Sequence, residues 1–320
     1  MTGVLTCALP ISVRRRFPYE FWYVVHLLTY AAVLTSLPHQ FSVGGLFADG
    51  TWQRWYWLAA CFATGAALLH YRVLEPVIAT FRHQLTVSRV VTVAPGVVSI
   101  EMHGLNLNEL AGTGGRFFIW RFLARGLWWH PHPFSLSAEP LQFDASGRGL
   151  LRITVRNLGK GSAQLAGLKP GTKVALEGPY GIFSTAARSQ DNVVMIGAGI
   201  GITPLRALLE STPFTPGQAT VILRGRSEQE LYLGDEILDL ARRRGATLFH
   251  LTGTRSGRHA DSWLPEHATD AGHRLTDYVP GIADADVYVC GPAAWARNVL
   301  TDARAAGVNE DQLHYERFDW

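Results

Sequence analysis

The chain has 320 residues, enough for two globular domains or one large one. It is 48% hydrophobic and 17% charged, against roughly 25% charged for an average soluble domain, which excludes a disordered tail or a low-complexity chain. A net charge of +3 without any block of like charge excludes a nucleic-acid footprint. Three scattered cysteines (Cys7, Cys61 and Cys290) exclude a four-cysteine zinc site, a cysteine-held iron–sulfur cluster and a disulfide framework. Redox chemistry in this chain therefore calls for an organic cofactor or haem.

The charge deficit is concentrated at the amino end. Residues 21–37 and 55–69 carry no charge, and each run extends with its flanks to about 20 residues, the length of a membrane-crossing helix. Aromatics crowd the edges of both runs (Phe21, Trp22, Tyr23; Trp52, Trp55, Tyr56, Trp57), as in interfacial belts. Buried helices of a soluble core are the alternative. Arg14, Arg15 and Arg16 precede the first run, and Arg72, Arg82 and Arg89 follow the second. The positive-inside rule then predicts a cytosolic stub over 1–19, a transmembrane hairpin over 20–75 and everything after Tyr71 in the cytosol. The predicted location is the plasma (inner) membrane, with the lipid bilayer as a partner. His26 lies inside the first run and His39 just beyond it. An imidazole in hydrocarbon is a candidate metal ligand. Thirteen residues separate the two, ~20 Å along a helix, a spacing that suits one metal centre in each leaflet. The two rings would point about 140° apart, so a kink at Pro38 or haems approached from different sides would be required.

From about Val77 to Phe183 the sequence reads as short strands, among them 84–95, 97–104, 115–123, 150–158 and 172–179, separated by Gly and Pro turns. This predicts a small antiparallel barrel over 76–188. From Asp191 the period changes. Strands at 192–197, 219–225, 246–253 and 285–291 alternate with helices at 202–211, 231–245 and 292–307. This predicts an α/β domain with a parallel sheet over 189–320, binding ligands at the strand carboxyl ends.

Gly197-Ala198-Gly199-Ile200-Gly201-Ile202-Thr203-Pro204 follows a strand and opens a helix. Such a turn lets backbone N–H groups approach a pyrophosphate at the positive end of the helix. Its spacing is GxGxG, so a purely structural turn is the competing reading. Five further motifs occur in order around it: His132-Pro133-Phe134-Ser135-Leu136-Ser137; Val155-Arg156 with Gly159, Gly161 and Ser162; Gly178-Pro179-Tyr180-Gly181; Cys290-Gly291-Pro292; and Glu316-Arg317-Phe318-Asp319-Trp320. Together they resemble the ferredoxin–NADP reductase superfamily, and within it the ferric reductase and NADPH oxidase branch.

That resemblance implies FAD and NADPH (or NADH) as cofactors. His132, Pro133, Phe134 and Ser135 would cradle the isoalloxazine, with Ser135 near flavin N5. Arg156, Gly161 and Ser162 would hold the FAD pyrophosphate. Gly199, Gly201, Thr203 and Pro204, with Gly291 and Pro292, would bind the nicotinamide dinucleotide. Cys290 would lie beside nicotinamide C4, and Trp320 or Phe318 would cover the flavin. A buried small residue is the alternative for Cys290, and a core aromatic for Phe134. Arg224, Arg226 and Ser227 follow the second strand of the nucleotide domain, where an adenosine phosphate is read, or are solvated surface groups.

In the amino-terminal part, His26 and His39 resemble the histidine pair on the fifth helix of the six-helix haem domain, which implies haem b. The third helix, with its two further histidines, is absent, and residues 1–12 resemble the tail of a fourth. A missing upstream segment, a second membrane chain or loss of haem would each explain this. The expected function is a membrane-bound flavin oxidoreductase that passes electrons from NAD(P)H through FAD to a one-electron acceptor (haem, ferric iron or oxygen). Two alternatives stand beside it: a haem-free anchored reductase component serving a separate carrier or oxygenase, and a non-catalytic membrane subunit.

Overall fold

The computed structural model describes residues 19–42, 50–144, 147–157 and 164–317, and divides them between two compact units that meet at Arg72 and Val73. The predicted cytosolic stub lies outside the described residues, apart from Tyr19.

The first unit contains helix α1 (Tyr19–Ser42) and helix α2 (Trp52–Leu69). Helix α1 continues through Pro38 to Ser42, past the end of its uncharged run. Among the described residues one helical run, Trp52–His83, is long and apolar enough to cross a membrane, and none of its apolar window is buried. The expectation of two such helices is met only to that extent.

In the second unit, helix α3 (Glu75–His83) stands where the sequence reading began the strands. Pro76 in its first turn favours that start, and Gln84 ends it in the left-handed conformation. Its final residue is built into the barrel: His83 is buried, its Nδ1 lies 3.1 Å from the Leu105 carbonyl, and its own carbonyl accepts the Leu105 N–H.

Two antiparallel sheets follow. One has the order β1 (Thr86–Ala94), β2 (Val97–Gly104), β6 (Gly149–Arg156), β5 (Leu141–Gln142); the other runs β4 (His132–Ser135), β3 (Phe117–Phe122), β7 (Val174–Tyr180). Bridges at Thr86–Lys173 and Leu136–Ile153 connect them into the expected barrel-like enclosure. Strand β3 shows why the sheets close on a core. Its sequence FFIWRF alternates strictly, sending Phe118, Trp120 and Phe122 inward, all fully buried among Ile100, Leu136 and Ile153. Strand β4, too short for a periodicity argument, is held by pairing to β3 and by the Trp120 indole N–H donating to the Phe134 carbonyl at 2.9 Å.

The α/β part is a parallel sheet in the order β10 (Thr247–Thr252), β9 (Ala219–Gly225), β8 (Asn192–Ala198), β11 (Ala285–Gly291), β12 (Leu313–Arg317). The central strands are buried on both faces, so they read as continuous apolar runs rather than alternating ones. Helices α4 (Ile202–Ser211), α5 (Gly234–Arg244) and α8 (Ala293–Ala305) cover it, with short helices α6 (Glu266–Asp270) and α7 (Leu275–Tyr278) between β10 and β11. Helix α5 starts three residues later than its apolar pattern suggests, because Leu233 takes φ 58° and Leu231 to Leu233 turn into the core. Acidic Asp235 and Glu236 in its first turn, and Arg242 to Arg244 in its last, complement the helix dipole.

A buried polar knot ties the segment between β7 and β8 to the sheet. Asp286, fully buried, accepts from Ser189 N at 2.7 Å, Gln190 N at 2.5 Å and Ser189 Oγ at 3.2 Å, and lies 2.8 Å from His314 Nε2. Tyr288 stacks on His314 and donates to the Ser184 carbonyl at 3.0 Å. Asp286→Asn presents an amide N–H to groups that are themselves donors. It should destabilise the protein by about 2–4 kcal/mol, lowering the melting temperature by roughly 5–10 °C in thermal unfolding of the detergent-purified chain.

Candidate active site

The strand order of the α/β part reverses between β8 and β11, and in such sheets ligands bind beyond the carboxyl ends at that switch point. A cavity of about 380 Å³ opens there, with Arg156, Gly199, Arg226, Arg255 and Pro292 in its walls. Arg156, at the exposed end of barrel strand β6, and the glycine turn after β8 therefore share one opening.

The glycines of that turn differ in role. Gly199 has φ +57° and open space where a side chain would be, so its backbone faces the cavity. Gly201 does not face a ligand: an added Cβ would lie 2.3 Å from the Cys290 carbonyl oxygen, so it is the point where the turn closes on β11. Thr203 and Pro204 are buried, and the Thr203 hydroxyl donates to the Ile200 carbonyl at 2.8 Å. They shape the start of α4 rather than present themselves to a dinucleotide. Gly291 likewise makes room for the Trp295 ring, whereas Pro292 remains in the cavity wall.

Strand β4, where the resemblance places the isoalloxazine, is linked to the sheet through its neighbours. Phe117 pairs with both Ser135 and Tyr180. A Cβ on Gly181 would lie 3.3 Å from the Phe117 ring and 3.6 Å from Glu316 Oε2. Glu316 is the register partner of Cys290, whose carbonyl touches Gly201. Phe117 thus links Ser135 to the neighbourhood of Gly181, and Glu316 and Cys290 lead from there to Gly201.

What these residues leave unsatisfied fits FAD. Ser135 Oγ and His132 Nε2 are buried, at 5% and 8% residue exposure, without a hydrogen-bond partner among the described residues. Each such orphan costs ~1–3 kcal/mol unless a ligand atom meets it. Burial, with neighbouring His130 and Arg121, pushes the His132 imidazole down to about 4, so it is neutral at physiological pH. Its ring lies parallel to Phe134, centroids 6.0 Å apart, and Phe134 packs against the barrel core as its alternative reading allowed. Pro133 is half-buried beside them. Gly161, Ser162, Phe318 and Trp320 lie outside the described residues.

Cys290 is fully buried among Met195, Ile202 and Tyr288, and burial drives its thiol well up, with the nearby Glu316 adding to the rise. It is a neutral wall residue, not a reactive thiolate. Glu316, quoted in the terminal motif but given no role from sequence, is pushed by burial up to about 7. Only the tertiary pairing of β12 with β11 brings it beside Cys290.

The arginines divide unexpectedly. Arg224 also lines the cavity, but it is buried and its guanidinium donates to the backbone carbonyls of Trp263, Gly225 and Leu251. Burial, with Arg255 and Arg226 nearby, lowers its pKa. Arg226 stays exposed in the cavity wall, while Ser227 is exposed but outside the lining. Arg255, from the loop after β10, was not visible as a candidate because that loop has no motif spacing. For haem, His39 is exposed on α1 and the His26 side chain lies outside the described residues. Among the described residues no cluster of three metal-ligating side chains forms.

Residues 195–300 match the oxidoreductase NAD-binding domain family. The propane 2-monooxygenase reductase component of Rhodococcus jostii (strain RHA1) is 34% identical over 158 residues, covering 48% of this chain and 42% of the relative. Ferredoxin–NADP reductase B of Sorangium cellulosum (strain So ce56) is 28% identical over 197 residues, 58% of this chain and 77% of the relative. The flavohaem-like FAD/NAD-binding domain of nitric oxide dioxygenase from Vibrio cholerae O1 biovar El Tor superposes with a TM-score of 0.58 at 24% identity, over 73% of this chain and 98% of that one. The barrel and the α/β part share the fold of these FAD/NAD-binding proteins, and residues 195–300 belong to the NAD-binding domain family. The expectation of an NAD-binding α/β domain is borne out over residues 195–300, and the relatives' names accord with a flavin oxidoreductase that uses FAD and NAD(P)H. The narrower ferric reductase and NADPH oxidase branch is not reached by these likenesses. The chain spans less than half the length of the propane 2-monooxygenase reductase that it matches.

The two perturbed groups give opposite pH dependences. Glu316, raised from 4.5 to about 7, binds more protons folded than unfolded, so its contribution is lost as pH rises across that window. His132, lowered from 6.5 to about 4, makes a contribution that is lost as pH falls through that lower window. Chemical denaturation of the detergent-purified chain at several pH values should show Glu316→Gln removing the decline in stability between pH 5 and 7, with the low-pH decline retained.

Proposed function

We propose that this chain is the reductase component of a two-component system: it takes hydride from NAD(P)H onto FAD and hands electrons singly to a separate acceptor protein. The carrying observation is the cavity that Arg156 of the barrel shares with the open Gly199 turn of the sheet, together with the buried, unsatisfied Ser135 Oγ and His132 Nε2 on barrel strand β4. The likeness to a relative whose name is that of a monooxygenase reductase component supports a separate acceptor over haem within the chain. We also propose that Trp52–His83 anchors the protein to the inner membrane, with the flavin part on the cytoplasmic side; the length and apolar character of that helix support this.

When bound, FAD supplies the conversion of a two-electron hydride donor into a one-electron source. The protein's own groups do the rest. Ser135 Oγ and the neutral His132 imidazole would hold the flavin through their unsatisfied polar atoms, and Arg156 would offset pyrophosphate charge with charge-assisted hydrogen bonds. The Gly199 backbone would receive the dinucleotide's pyrophosphate near the start of α4. Glu316 can hold or release a proton near neutral pH beside Cys290. Arg226 and Arg255 offer two exposed guanidinium groups to an adenosine 2′-phosphate, which makes NADPH the proposed donor.

Protein solubilised from membranes and loaded with FAD should show a flavin spectrum that NADPH bleaches under argon. Ser135→Ala should slow that bleaching on the order of a hundredfold while FAD remains bound. A chain that never takes up FAD would refute the reading, and recovery of the full chain in the soluble fraction would refute the anchor. Replacing both Arg226 and Arg255 with Ala should raise KM for NADPH by about tenfold or more and leave KM for NADH within about twofold, as measured by steady-state dye reduction.

A further inference from the structure

The barrel and the α/β part are joined by a chain of charged side chains away from the cofactor contacts. Arg152 on β6 donates from Nη1 and Nη2 to the two carboxylate oxygens of Glu236 on α5, at 2.9 and 2.7 Å. Arg206 on α4 donates from Nε to the same Glu236 at 2.9 Å, and from Nη1 to Glu210. Glu210 in turn accepts the backbone N–H of Glu139 at 2.7 Å. The chain leaves the barrel at Arg152 and re-enters it at Glu139.

Its geometry is that of strong pairs. The Arg152–Glu236 contact is a bidentate fork, and the Arg152 and Arg206 side chains are only 14% and 11% exposed. Burial opposes the Glu236 charge, yet Arg152 and Arg206 together hold its carboxyl below the ordinary range. Backbone contact accompanies the charges: an added Cβ on Gly114 would lie 2.6 Å from the Ala207 carbonyl, so a barrel loop rests directly on α4.

Both ends adjoin elements of the site. Arg152 also donates to the Ser137 carbonyl at 3.0 Å and to its hydroxyl at 3.2 Å, two residues beyond Ser135. Helix α4, which carries Arg206 and Glu210, begins directly after the Gly199–Gly201 turn.

We propose that Arg152, Glu236, Arg206 and Glu210 form a clamp that holds the flavin strand and the nucleotide turn at working separation before the dinucleotide binds, which makes Arg152 and Glu236 positioning residues for NAD(P)H use. The proposal rests on the functional reading above. With the clamp broken, open arrangements compete, and apparent affinity falls by the fraction of molecules that remain closed. A bound dinucleotide touches both halves and restores closure at saturation, so turnover survives.

The test uses the FAD-loaded full chain. Glu236→Gln should raise KM for NADPH by about tenfold and leave kcat within about twofold. Combining it with Arg152→Met should add little to either single change, since both remove the same contact. In the protein without FAD, hydrogen exchange at the amides of residues 112–115 and 139 should accelerate in Glu236→Gln, a readout independent of activity. An unchanged KM, a kcat loss at constant KM, fully additive substitutions or unaltered exchange would each overturn the clamp. Wild-type protein that oxidises no NADPH would defeat the functional reading instead, and exchange in the two variants would still judge the clamp.

Discussion

The site depends on one close approach, between the glycine turn after β8 and the carbonyl of Cys290 on β11. Only a hydrogen atom fits at Gly201, where a Cβ would lie 2.3 Å from that oxygen. Because the turn can sit down on β11, the carboxyl ends of both strands open into one cavity, and β12 places Glu316 beside Cys290. The barrel's Gly181 then meets Glu316, and through Phe117 this links β4 and its two orphaned polar atoms to the sheet.

Electrostatics divides the crevice. On the flavin side, burial removes charge: His132 is neutral, and Cys290 is a protonated thiol. On the nucleotide side the cavity wall carries exposed Arg156, Arg226 and Arg255, the groups suited to phosphates. Glu316 stands between them and titrates near neutrality because burial weakens its charged form.

Outside the crevice, polar groups do mechanical work. Asp286 gathers the donors of the Ser189–Gln190 segment and the His314 ring, so the chain passing from barrel to sheet is fixed at its middle. The Arg152–Glu236–Arg206 chain joins the same two halves from the other direction, through helices α4 and α5. Both are long-range contacts between groups with no common motif.

The sequence alone determined the order of the parts: apolar helices, an antiparallel barrel, then an alternating parallel domain. Periodicity and turn residues are local, and strands such as 219–225 and 285–291 match their observed bounds. Local pattern misplaced the start of α5 and missed α3, where a left-handed Leu233 and packing against the barrel overrode propensity. It found Ser135, Arg156 and Gly199 because they sit in spaced motifs. Tertiary structure decided what those motifs could not carry: that Gly201 packs against β11, that Arg224 in the cavity wall is engaged by backbone carbonyls, that Arg255 joins that wall, and that Glu316 lies beside Cys290. The reason is physical, since burial and cross-strand neighbours are set by segments far apart in the chain and leave no periodic trace in it.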